Sequence, residues 1–129
     1  MPDEKEKNRL INTRLNKYRR QVAELIKPSQ KDELVEKTSA FVADPDPSAQ
    51  RLEKLAKELV AAFKKARKPG QKKIMILVES MAGYWLDKSA LREGVRAAVG
   101  ELEKILLKAG LQPEDWEAFY RTWNAGGIY

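Results

Sequence analysis

The chain has 129 residues, 43% hydrophobic and 34% charged, with 25 Lys and Arg against 19 Asp and Glu, for a net charge of +6. That length suits one compact domain with a single core. With neither Cys nor His, the sequence excludes disulfides, thiolate nucleophiles, imidazole bases, and the ordinary zinc, haem and iron–sulfur sites that need N or S ligands.

The opening Met1-Pro2-Asp3-Glu4-Lys5 lacks the basic-then-apolar layout of a secretory signal, and no apolar run approaches the roughly 20 residues that span a bilayer. A cytoplasmic protein with no membrane association is expected. In the first predicted helix, Ile11, Leu15, Tyr18, Val22 and Leu25 recur at steps of four and three and form one apolar stripe. Pro28 ends it. Ser29, with Asp32 three residues on, reads as a capping box for a second helix whose inward face is Leu34, Thr38, Phe41 and Val42.

The Asp44-Pro45-Asp46-Pro47 stretch breaks the chain again. Asp46 as cap and Pro47 at the first helical position then predict a third helix, with Leu52, Leu55, Leu59, Phe63 and Ala66 inward and Lys68-Pro69-Gly70 as its end. Ile74 to Val78 are five consecutive apolar residues, a pattern that also suits a buried strand. No second strand is available to pair with it, whereas Ile74, Leu77, Val78, Met81 and Trp85 fit helical spacing, so a central buried helix is predicted. A break is expected at Asp87-Lys88-Ser89.

The fifth stripe is Leu91, Val95, Ala98, Leu102 and Ile105, with Gly94 and Gly100 inside it, where a close neighbouring helix would compensate the lost stability. Gly110 is the predicted left-handed cap and Leu111 its hydrophobic contact. Pro113, Glu114 and Asp115 then open a last helix, with its acidic residues at the positive end of the dipole. The whole, residues 1–129, is predicted to be an all-α single-domain helical bundle of five to six helices, with a flexible tail at 124–129.

Charge is distributed unevenly. Residues 1–27 hold 8 basic and 4 acidic side chains, residues 47–73 hold 9 basic and 2 acidic, and the remainder is net negative. The densest cluster, Lys64, Lys65, Arg67, Lys68, Lys72 and Lys73, surrounds a predicted helix N-terminus, where free amides favour phosphate. Arg19 and Arg20 on the first helix extend this candidate nucleic-acid surface, with Asn12 and Asn16 among the cations. Neither a helix-turn-helix spacing nor an RNP aromatic pattern is present, so contact with the backbone of DNA or RNA is expected rather than base readout.

Trp116, Phe119, Tyr120 and Trp123 follow helical spacing. Such a stripe builds core or anchors a protein partner. The acidic C-terminal segment and the basic cluster also allow head-to-tail self-association between copies.

Three partial motifs fail. Asp44, Asp46 and Ser48 open like a calcium loop, but Ala49 and Leu55 occupy the positions that need Gly and Glu. Glu79-Ser80-Met81-Ala82-Gly83 resembles a nucleophile elbow without its first glycine or any His to activate Ser80. Pro69 to Lys73 lacks the second glycine and the Ser or Thr of a phosphate loop. Glu101 and Glu103, two apart on a helix, do not face each other. A non-catalytic protein without cofactor or metal is therefore expected. It binds nucleic-acid backbone as a subunit of a larger assembly or, in the second reading, acts as a protein–protein adaptor or regulator through the aromatic segment.

Overall fold

The computed structural model describes residues 3–128, and the chain is all-helical: α1 (Glu4–Ala23), α2 (Glu33–Ala43), α3 (Ala49–Lys65), α4 (Lys68–Glu93), α5 (Val95–Ala109) and α6 (Pro113–Asn124). The described residues contain no strand, only an isolated bridge between Lys27 and Gln30 in the first loop. No helix of the described residues is long and apolar enough to cross a membrane.

The segment from Ile74 to Val78 lies inside α4, the axis of the bundle, and α1, α2, α3 and α5 all pack on it. Its 26 residues extend about 39 Å at 1.5 Å per residue. From Ser80 to Asp87 every residue is buried, because neighbours cover this stretch on all sides. A helix enclosed in this way has no polar face, which is why its sequence shows an apolar run rather than a stripe. Arg14 meets Asp87, Tyr18 meets Gly83 and Gln21 meets Ser80, so α1 runs antiparallel to α4.

Gly83 permits that approach. A Cβ there would lie 2.5 Å from Tyr18 Cζ, nearer than real Cβ atoms come to a neighbour. Of the predicted stripe of α1, Ile11, Leu15, Tyr18 and Val22 are all buried, whereas Leu25 lies past the helix, which ends at Ala23 and not at Pro28, and is only half-buried.

Four other predicted boundaries are corrected. Asp87-Lys88-Ser89 does not break the chain: α4 continues to Glu93 and stops at Gly94, whose φ of 90° lies in the region favouring glycine. Leu91 consequently belongs to α4 and is 52% exposed instead of facing inward. The cap of α2 is Asp32, which accepts from the amides of Leu34 and Val35, and not Ser29.

The cap of α3 is Ser48, accepting from Arg51 N at 3.1 Å. Asp46 is instead held in a local turn, donating its own amide to Asp44 Oδ1, so Pro47 precedes the helix. Finally, α3 ends at Lys65, and Pro69 and Gly70 stand in the first turn of α4. Proline costs no hydrogen bond there, since first-turn amides have no acceptor within the helix.

At the end of α5, Gly110 takes φ 109°. Its amide donates to Leu107 O and that of Leu111 to Leu106 O, the paired bonds that close a helix on a left-handed glycine. Gly100 has open space around it, so no close-packed neighbour compensates for it. The end of the chain is laid down on the body as far as Ile128, which is 6% exposed. Tyr129, the last residue of the predicted tail, lies outside the described residues.

Candidate nucleic-acid interface

The corner between α3 and α4 is tight because Ala66 and Gly70 are small: a Cβ on Gly70 would lie 3.2 Å from that of Ala66. Gln71 secures the turn by donating from its side chain to Phe63 O at 3.1 Å and from its amide to Arg67 O at 2.8 Å. No side chain caps α4, and its first turn carries no acidic residue. The positive end of the longest helix therefore faces outward with cations around it.

The six predicted cations of this cluster divide by environment. Lys65, Arg67, Lys68 and Lys72 are exposed and form no ion pair among the described residues. Lys64 reaches across to α5, its Nζ where a Cβ on Gly110 would come within 2.5 Å, and there it complements the negative end of that helix. Lys73 is bound to Asp32, the cap of α2. Burial pushes the Asp32 carboxyl upward, but Lys73 and the amides of Val35 and Leu34 outweigh it and hold the group below its usual range.

Arg19 and Arg20 do not join this cluster. Arg19 donates from Nε to Val42 O at 2.8 Å and from Nη2 to Tyr84 Oη at 3.2 Å, with its guanidinium 5.3 Å from the Tyr84 ring centroid. Tyr84 in turn donates to Asp44 O. Tyr84 lies sixteen positions after Lys68 on α4, about 24 Å along the helix axis. Arg20 is exposed beside a separate groove that it shares with Leu10, Lys17 and Ile128.

The aromatic stripe of α6 is split. Trp116 and Trp123 are buried at 6% and 5% exposure, whereas Phe119 and Tyr120 are half-buried. Tyr120 bridges the two indoles, with centroid distances of 5.8 Å to Trp116 and 6.3 Å to Trp123.

Trp123 belongs to a constellation with no sequence signature, because its members are far apart in the chain. Asp87, fully buried, accepts from Arg14 Nε at 2.9 Å, from Arg14 Nη2, and from Trp123 Nε1 at 2.9 Å. Arg14 Nη1 also donates to Trp123 O at 3.1 Å. A buried carboxylate is tolerated only when its charge and lone pairs are met in this way. This cluster joins α1, α4 and α6.

Beside the Arg14–Asp87–Trp123 cluster, a cleft of about 350 Å³ opens between α1, α4 and α6. Glu79 and Asp115 both line it, as does Lys17. Burial and then Asp115 push the Glu79 carboxyl above its usual range, and Lys17 acts in the opposite direction. No protein-family model matches the chain, and comparison with characterised proteins and with solved structures yields no significant match.

Proposed function

We propose that this is a non-catalytic, cytoplasmic protein that binds the phosphate backbone of nucleic acid at the α3–α4 corner, as a subunit of a larger assembly. The observation that carries this reading is that Lys65, Arg67, Lys68 and Lys72, exposed and unpaired among the described residues, surround an uncapped helix N-terminus with no acidic residue in its first turn. Fixed amide dipoles and cations converge there on the chemistry of a phosphate oxygen. Lys64 adds charge at the edge, while Lys73 contributes less because Asp32 holds it. Arg19 is occupied by Val42 and Tyr84, so the reading places the contact on α3 and α4 alone.

The alternative, a protein adaptor gripping its partner with α6, draws on the half-exposed Phe119 and Tyr120. It loses its two largest anchors, since Trp116 and Trp123 face the core. Titration of labelled single- and double-stranded oligonucleotides, followed by fluorescence anisotropy, tests the leading reading. Roughly micromolar binding is expected at low salt. It should be strongly reduced by combined Lys65→Ala, Arg67→Ala, Lys68→Ala and Lys72→Ala changes and little altered by Arg20→Ala. Absence of binding at low salt, or equal binding by the fourfold variant, would overturn it.

A further inference from the structure

We propose that the cleft between α1, α4 and α6 is a binding site for a small primary amine with an apolar body. The inference is independent of the nucleic-acid reading and concerns the stretch of α4 around Met75 and Glu79 rather than its first turn. At about 350 Å³, the cleft lies at the small end of the range for ligand pockets. Its apolar wall includes Met75, Ala118 and Phe119, and its charged groups are Glu79, Asp115, Lys17 and Arg14.

The guanidinium of Arg14 is already matched by the carboxylate of Asp87 and the carbonyl of Trp123. Two carboxylates, from different helices, therefore face one lysine ammonium, leaving the cleft an excess negative charge. They are close enough for Asp115 to disfavour ionisation of Glu79, with only partial relief from Lys17. A ligand ammonium placed between them relieves that repulsion. Its apolar body then covers Met75 and Phe119, and the Phe119 ring offers a further attraction to the cation. An anionic ligand would instead add to the existing excess of negative charge.

The test uses the full chain with phenethylamine as probe, against 2-phenylethanol as its neutral counterpart and 3-phenylpropionate as its anionic one. Binding is followed by calorimetry and by the NMR signal of the Trp123 indole N–H, which reports on the cleft because Trp123 lines it. The amine should bind saturably at one site, about tenfold or more tighter than either counterpart, since neither can make the charge-assisted hydrogen bonds of an ammonium to a carboxylate. Glu79→Gln and Asp115→Asn should each weaken it to a similar degree, and Lys17→Gln, which removes the competing ammonium, should tighten it.

Circular dichroism verifies that each variant retains its helices. Equal binding of amine and alcohol by the wild-type chain would overturn the proposal even if a variant failed to fold. So would amine binding unchanged in both folded carboxylate variants, or tighter binding of 3-phenylpropionate than of the amine.

Discussion

Asp87 shows how one residue can carry opposite meanings in sequence and in structure. Beside Lys88 and Ser89 it resembles a helix terminator, yet it is fully buried in mid-helix, where Arg14 and the Trp123 indole meet its charge. Removing one partner of such a pair leaves an uncompensated buried charge, which costs about 3–5 kcal/mol. Arg14→Met is therefore expected to lower the unfolding free energy by about that amount in urea titrations. A loss below about 1 kcal/mol would show that the pair is no more than a surface contact. Two glycines make an opposed pair of predictions at the same scale. Gly83→Ala should destabilise by about 1–3 kcal/mol, because the buried Tyr18 ring has to move. Gly100→Ala, in open space inside α5, should stabilise by about 0.5–1 kcal/mol.

Among the elements, α1 and the α5 cap can be read from sequence because their information is local. The stripe from Ile11 to Val22 and the Gly110-Leu111 closure each lie within a few turns of one helix. α4 is recognisable as helical and central, but its limits are not. Pro69 near its start and Asp87 in its interior carry the local marks of breaks, and only their surroundings, an outward-facing first turn and the partly buried guanidinium of Arg14, reverse that meaning. At the candidate interface the basic cluster is legible as charge. The internal use of Arg19 and Lys73 is not, since Val42, Tyr84 and Asp32 lie 23 to 65 residues from them.

The attachment of α6 has a pH dependence of defined sign. Glu79 has a raised carboxyl in the folded state, so the stability associated with its protonated form is fully present below the ordinary carboxylate range and is lost as pH rises through the raised value. Glu79→Gln should accordingly raise the thermal midpoint at pH 7 and have little effect near about pH 3, where Glu is itself neutral. Asp32 behaves oppositely. Its lowered carboxyl contributes stability above the ordinary range and loses it as pH falls through the depressed value. Melting curves of Glu79→Gln and Asp32→Asn against pH should therefore diverge from wild type in opposite directions at neutral pH, and a common direction would contradict the assignment.

For the molecule as a whole, the contrast between its ends matters more than the net charge of +6. Near the α2–α3 loop, cations are matched: Arg51 pairs with Asp44 at 2.5 Å and Arg92 with Asp46. At the α3–α4 corner, Lys65, Arg67, Lys68 and Lys72 stand without such partners among the described residues. Charge arranged in this way attracts polyanions through counterion release, and that contribution is read directly from the dependence of affinity on salt. The most direct measurement is the slope of log affinity against log salt for a DNA duplex, compared between wild type and the Lys65, Arg67, Lys68 and Lys72 to Ala variant. A steep negative slope in the wild type is predicted, shallower in the variant by up to about 0.9 for each phosphate that the variant no longer neutralises. Equal slopes for two equally helical proteins, or no binding at low salt, would contradict it.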